Sequence, residues 1–425
     1  MKNLLYNSHR QPRNHKGESI IDNKSKWVGW WNRLGRLLEV FVVATRLGLT
    51  SFGGPVAHLG YFHNEYVRRR KWLDTQTYSE IVALAHFLPG PSSSQIGIAV
   101  GITRAGLMGG VFAWLGFTLP STALLIFFAY GINGETVSGA SWLNGLQVVA
   151  VAVVAVAVLD MAKRLCPDRS RKTFAIAAVI PMLFIPHVIT QILVIAAGGL
   201  LGLFLLKDRN SETISNHRFP INRTVGLISI MIFLTLLLGL PVILQVIAHK
   251  PLEIFDSFFR SGSLVFGGGH VVLPLLEAEV VPNGWVSKES FATGYAVAQA
   301  VPGPLFTFSA YLGTAISTPH PRWLLGLLAT FAIFLPSFLL VTATLPFWNT
   351  VRSSKRCQKA LMGINAVVVG LLITALYSLL VTIQDLQSHY FAIGFASFSL
   401  LAFFKCPPWV VLILATLASY GIGLL

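Results

Sequence analysis

Apolar residues along this chain come in long blocks, separated by short polar or basic clusters. The blocks fall near 38–52, 77–101, 106–131, 143–160, 174–206, 224–249, 254–275, 290–313, 323–347, 361–383, 389–404 and 408–425. A helix needs roughly 20 apolar residues to cross a bilayer. Several blocks reach that length; others are short or interrupted by Gly and Pro. The run 174–206 is interrupted near Pro186 and His187, which predicts a tight pair of short spans. The pattern predicts an all-α integral membrane protein with about 9–12 membrane segments, some of them re-entrant or broken.

Composition agrees. Of 425 residues, 54% are hydrophobic and only 12% are charged, where a soluble domain carries about a quarter charged. That excludes a soluble fold, and the ample apolar area excludes disorder. The 37 Gly and 21 Pro lie largely inside apolar runs, which suits broken membrane helices.

Lys and Arg number 32 against 17 Asp and Glu. The excess sits in loops, so it reads as the positive-inside signal rather than a nucleic-acid surface. Residues 61–74 hold Arg68, Arg69, Arg70 and Lys71. Residues 160–173 hold Lys163, Arg164, Arg169, Arg171 and Lys172. Residues 207–223 hold Lys207, Arg209, Arg218 and Arg223, and 351–359 hold Arg352, Lys355, Arg356 and Lys359. All four are expected on the cytoplasmic side, and 132–142, with no basic residue, outside. The basic segment 1–36 has no apolar signal core and is expected to be a cytoplasmic tail, with Trp27, Trp30 and Trp31 at the interface. Cys166, Cys357 and Cys406 have no metal or redox spacing and are expected to be reduced.

If the tail and 61–74 share a side, 38–60 must enter the membrane and return. Arg104 imposes the same on 77–101. Each stretch has a breaker at its middle, Phe52-Gly53-Gly54-Pro55 in one and Pro89-Gly90-Pro91 in the other. Non-helical backbone at membrane depth survives only where protein or water covers it, so both breaks are expected to line a cavity.

The breaks recur. Over 38–54 against 252–268, eight of 17 positions are identical at a constant offset of 214: Leu38, Glu39, Phe41, Arg46, Gly48 and Phe52–Gly54 match Leu252, Glu253, Phe255, Arg260, Gly262 and Phe266–Gly268. Glu65 matches Glu279, Pro89-Gly90-Pro91 matches Pro302-Gly303-Pro304, and Leu119-Pro120-Ser121 matches Leu335-Pro336-Ser337. In place of the first copy's basic loop, 276–289 carries Glu277, Glu279 and Glu289 against Lys288. The second copy is therefore expected upside down, inverted by one extra span at 224–249. The predicted organisation is a tail (1–36), a first repeat (37–206), a linker with one helix (207–251) and an inverted second repeat (252–425). Secondary transporters with this architecture bind substrate at the midplane between repeats.

Arg46 and Arg260 lie inside apolar stretches, just before the Gly-Gly breaks. A buried guanidinium needs a partner, and a tetrahedral oxyanion suits its planar fork. Equally, each arginine could pair with Glu39 or Glu253 of its own repeat, or snorkel to the interface. Helices restarting after Pro91 and Pro304 present free N–H groups and a positive dipole end to an anion. Ser92, Ser93, Ser94 and Gln95 follow the first break, and Thr307 follows the second; their side chains either bind an oxyanion or cap the helix. Gly53, Gly54, Gly267 and Gly268 allow close backbone approach or close helix packing. His58, His86 and His270 are candidate proton carriers or plain polar contacts. No nucleotide-binding, nucleophile or metal motif occurs, so neither enzyme chemistry nor a cofactor is expected.

The Phe-Gly-Gly breaks, Lys71-Trp72-Leu73, and the Pro-Gly-Pro segments with Phe87-Leu88 before and Gln95-Ile96-Gly97 after resemble the chromate ion transporter family in its long, two-domain form. The resemblance covers about 37–425. It implies export of chromate across the inner membrane and chromate resistance; some members are linked to sulfate. The second copy departs at Gly269, in place of Pro55, and at Leu305-Phe306, in place of Ser92-Ser93. The expectation is a secondary transporter for a divalent tetrahedral oxyanion, embedded in the cell membrane, with its N-terminus inside and homodimeric. A sulfate carrier or an anion channel are the alternatives.

Overall fold

In the computed structural model the chain folds into helices and short turns. The structure describes residues 20–52, 54–132, 141–185, 187–206, 219–266, 269–383 and 387–422. Gly53, Gly267 and Gly268, three of the predicted site glycines, lie outside the described residues, as does 1–19 of the tail.

The first half comprises α1 (Ile20–Thr50), α2 (Gly54–Phe62), a π-turn (His63–Arg69), α3 (Thr75–Phe87), α4 (Ser92–Ile132), α5 (Ser141–Leu165), α6 (Arg169–Phe184) and α7 (Val188–Leu205). Helix α8 (Arg223–Leu244) follows. The second half comprises α9 (Lys250–Leu264), α10 (Val272–Val280), α11 (Lys288–Ala300), α12 (Phe308–Ala315), α13 (Arg322–Thr344), α14 (Trp348–Ser353), α15 (Lys355–Thr382), α16 (Ser388–Ala402) and α17 (Pro408–Ile422). The two short spans expected in 174–206 are α6 and α7. The fold is an all-α integral membrane protein, with six described helices long and apolar enough to cross a membrane.

Helix α4 is continuous by hydrogen bonding but turns sharply at Ala105 (φ −142°) and Gly106 (φ 73°). Its arms, 92–104 and 107–132, fold back on each other. A Cβ on Gly101 would lie 2.3 Å from the Gly109 carbonyl oxygen, and one on Gly110 would meet Ile98 and Ile102. Only the second arm is therefore a spanning helix. In the second half the same hairpin is opened by residues 316–321, between α12 and α13.

The helices flanking the breaks are too short to span. Helices α3 and α11 have 13 residues each, about 20 Å, against an apolar layer of about 30 Å. Helices α2 and α10 have nine. Both α3 and α11 are capped at their starts, where Asp74 accepts from the Thr77 N–H and Ser287 from the Ser290 N–H. Of the six long apolar helices, α4, α5, α7 and α8 lie between α1 and α9. Helix α6, shorter at 16 residues, pairs with α7; if it crosses as well, five crossings set α9 on the face opposite to α1.

The long helices exchange partners between halves. Helix α5 packs on α16 and α17, while α15 packs on α6 and α7. Small residues permit the close approach, as where Gly198 and Gly202 of α7 meet Gly363 of α15. Around the breaks the core is fully buried, with Ile81, Leu84, Ile96 and Ile98 on one side and Phe258, Phe259, Tyr295 and Tyr311 on the other. Helix α8 exposes Leu227, Met231, Leu238 and Val242, a face suited to lipid.

Candidate functional site

The Pro-Gly-Pro turns end α3 and α11 because proline cannot continue a helix and the preceding residue is driven to extended backbone; Leu88 and Val301 have ψ 146° and 134°. The glycine at each tip then takes positive φ, 118° at Gly90 and 105° at Gly303. That conformation turns each Gly N–H outward, and it finds the opposite half. Gly90 N–H donates to the Val265 carbonyl (2.7 Å), and Gly303 N–H donates to the Ser51 carbonyl (2.9 Å). Ser51 and Val265 end α1 and α9 and are 214 residues apart in sequence. The two bonds are mirror images, and they cross-link all four half-helix tips.

The second arms close over the tips. A Cβ on Gly90 would lie 2.4 Å from Ser337 Oγ, and one on Gly303 would lie 2.8 Å from Ser121 Oγ. These are the serines of the two Leu-Pro-Ser segments, each seated on the other half's glycine. Ser121 Oγ donates to the Thr118 carbonyl.

Polar side chains converge on this crossing. His58 on α2 hydrogen-bonds Ser93 Oγ through Nδ1 (3.0 Å) and meets the Ser51 carbonyl through Nε2 (3.1 Å). Gln95 Nε2 donates to the Pro89 carbonyl (2.6 Å). Among the described residues, five buried atoms here have no partner: Ser51 Oγ, Ser94 Oγ, Gln95 Oε1, Thr118 Oγ1 and Ser337 Oγ. An unsatisfied buried polar group costs on the order of 1–3 kcal/mol, so such a group in one place calls for an occupant. Four of the five are hydroxyls, which can donate to an anion.

The two breaks differ. Thr307 donates to the Pro304 carbonyl through Oγ1 (2.8 Å), and the 3₁₀ turn Leu305–Thr307 occupies the start of the helix. Its Leu305 and Phe306 are buried. Pro302, Gly303 and Pro304 therefore shape the crossing, while the unpartnered hydroxyl of the first helix start is that of Ser94. Ser92 is half-buried beside Pro91.

The predicted arginines are placed differently from their counterparts in sequence. Arg260 is engaged by two carboxylates, Asp256 (2.9 Å) and Glu279 (3.3 Å). Arg46 is exposed on α1 and forms no ion pair among the described residues. Neither pairs with Glu39 or Glu253: Glu39 binds Arg70 (3.1 Å) and Arg104 (2.9 Å), and Glu253 binds Lys250 (3.1 Å). Trp72 and Trp285 close these clusters, Trp72 beneath Arg104 and Trp285 beneath Lys250. Glu65, outside the membrane segments, loses charge stability to burial, but hydrogen bonds from Arg70 and Arg69 outweigh that and hold its carboxyl below the ordinary range.

His270 hydrogen-bonds the Tyr295 hydroxyl (2.8 Å) and lies 3.4 Å from Gln299 Nε2. His86 is exposed in the last turn of α3. A cavity of about 500 Å³ lies beside the first break, lined by Phe52, Gly54, Asp160, His270, Gln299 and Lys405 among others. Among the described residues, no group of three His, Cys, Asp or Glu side chains could hold a metal.

Sequence reading missed Ser51, Thr118, Ser121 and Ser337 as site residues. The signal was present in the repeated Leu-Pro-Ser segments, but their proximity to the glycine tips is a tertiary fact.

The chromate transporter family model matches the chain twice, over residues 38–203 and 252–420. The chain belongs to the chromate transporter family. The chromate transport protein of Pseudomonas aeruginosa is 28% identical over 342 residues, 79% of each chain. The probable chromate transport protein of Synechococcus elongatus is 26% identical over 350 residues, 79% of this chain and 82% of that one. The chromate transport protein of Cupriavidus metallidurans is 25% identical over 346 residues, 79% and 80%. No solved structure matches the chain. In this chromate transporter family member, the glycine-tipped crossing joins the two matched segments.

Proposed function

We propose that this protein is a secondary transporter that exports chromate, a divalent tetrahedral oxyanion, across the inner membrane and so confers chromate resistance. The observation that carries the reading is the crossing, where Ser337 Oγ sits against the Gly90 tip and the buried hydroxyls of Ser51, Ser94 and Thr118, in the segments that form it, have no partner among the described residues. Hydroxyl donors at a helix start bind an oxyanion without a neutralising side chain, because hydrogen bonds to a charged acceptor are about twice as strong as neutral ones. This reading moves the anion from Arg46 and Arg260 to the crossing, since the charge of Arg260 is already taken up by Asp256 and Glu279.

The energetics favour export. Moving a dianion outward down an inside-negative potential is worth roughly 4.6 kcal/mol per 100 mV, enough for a gradient of more than a thousandfold. The basic loops put the N-terminus, 166–168 and 403–407 in the cytoplasm. The cavity beside Asp160 and Lys405 then opens inward, and rocking of one repeat against the other carries the anion outward.

The test is chromate uptake into inside-out vesicles, with and without sulfate. Saturable uptake that falls with Ser94→Ala and Ser337→Ala supports the reading. Uptake unchanged by both substitutions refutes the site. Hydroxyl donors recognise charge and tetrahedral shape rather than the central atom, so sulfate is expected to compete.

A further inference from the structure

The cavity beside Asp160 has a counterpart on the opposite side of the molecule. The first is walled by α2, α5, α16 and α17. The second, of about 320 Å³, is walled by α10, α15, α6 and α7. Apart from His270 and Gln299 in the first and Lys288 in the second, these are equivalent elements of the two halves. With the crossings counted above, the second cavity opens on the outer face, beside 281–282 and the start of α11. Neither cavity is lined by Gly90 or Gly303, but the first lies beside the first break at Phe52 and Gly54.

Its lining is mostly apolar, with one carboxylate. Glu277 on α10 accepts a hydrogen bond from Ser378 Oγ on α15, tying the hairpin half-helix to a long spanning helix. Gln191 on α7 lines the same space and is 2% exposed. Its Nε2 donates to the Pro274 carbonyl (3.0 Å), while its Oε1 has no partner. A buried amide oxygen without a partner and a carboxylate thus line one cavity, where a proton-bearing group could satisfy both.

We propose that Glu277 is a proton-binding site that controls anion exit through this outer cavity. When Glu277 is ionised, its charge opposes entry of a dianion into a small, apolar-walled space. When its carboxylate takes a proton from the outer solution it is neutral, the anion passes, and the proton returns to the same solution. The proton is held on a carboxylate oxygen, and Gln191 Oε1 is an unpartnered acceptor lining the same cavity. No bond other than O–H forms or breaks.

The other charged groups around α10 do not replace it. From α9, Arg260 and Asp256 face Glu279. From α11, Lys288 lies at the mouth and is exposed. Helix α15 contributes the Tyr377 phenol, and the lining of α6 and α7 holds no titratable group. His187, which caps α7, bonds its own backbone at Ile189.

The inference rests on the anion-transport reading, so the test has two separable readouts. In inside-out vesicles, chromate uptake by the wild type is expected to fall as lumenal pH rises, while Glu277→Gln gives uptake that no longer depends on lumenal pH. Ser378→Ala removes a donor to the ionised form and moves the midpoint to higher pH by about one unit. Independently of transport, the infrared carbonyl band of a protonated carboxylic acid is expected to titrate in the wild type and to be missing in Glu277→Gln. A wild-type pH profile retained by Glu277→Gln, or no band that depends on Glu277, overturns the proposal. If the wild type moves no chromate, the transport reading fails and the infrared band alone decides.

Discussion

Replacing Gly90 by alanine tests the crossing most directly. The backbone there has φ 118°, a region that costs an L-residue on the order of 1–3 kcal/mol. The new methyl would sit 2.4 Å from Ser337 Oγ and 2.8 Å from Gln95 Nε2. Something must move, and the Gly90–Val265 hydrogen bond, worth about 0.5–1.5 kcal/mol, is weakened as the tip shifts. The expected loss is about 2–4 kcal/mol, read as a lower unfolding midpoint of the purified protein in detergent, with chromate uptake lost in parallel. The contact with Ser337 makes the prediction specific. Gly90→Ala combined with Ser337→Ala is expected to recover about 1–2 kcal/mol, because the nearest remaining Ser337 atom, its Cβ, is 3.6 Å away. Combining it with Ser121→Ala is expected to recover nothing, because Ser121 faces Gly303. Wild-type stability in Gly90→Ala, or equal rescue by both serine substitutions, refutes the mirrored packing.

Ser94→Ala with Ser337→Ala should leave the ligand-free protein as stable as the wild type or slightly more so, because both hydroxyls lack partners, while chromate affinity measured by calorimetry falls about tenfold or more. Arg260→Gln leaves Asp256 and Glu279 without their cation and should cost about 3–5 kcal/mol in thermal unfolding, whereas Arg46→Gln should cost under about 0.5 kcal/mol; equal effects would contradict the pairing. Glu65 is held below the ordinary carboxyl range, so its contribution is present above the pKa of the unfolded chain and is lost as pH falls through the lower folded value. Melting curves on acidification should therefore flatten in Glu65→Gln. Removing the Trp348 Nε1–Glu80 bond (3.0 Å) with Trp348→Phe should cost about 1.5–3 kcal/mol, read in the same melts.

Much of this protein is legible in its sequence, for a physical reason. A bilayer admits only segments that satisfy their own backbone, so apolar block length and loop charge together report the helices and the short paired spans α6 and α7. Proline and glycine mark the breaks, because neither can be hidden inside a regular helix without consequence. Constant spacing between the two sets of breaks is likewise a property of the linear chain.

Partners are not. Arg46 and Arg260 stand at equivalent places in the sequence, yet Arg260 meets Asp256, a residue whose counterpart in the first half is Val42, and Glu279 from a neighbouring helix. The Leu-Pro-Ser serines look like ordinary helix residues until folding seats each one on the other half's glycine, over 200 residues away. The reversal at Ala105-Gly106 falls between the apolar blocks 77–101 and 106–131, where the side of Arg104 requires it, but its sharpness, with the two arms of α4 packed on each other, is set by packing. Close approach between distant segments is decided by packing, and so the crossing, its unpartnered hydroxyls and the cavity holding Glu277 belong to the tertiary structure alone.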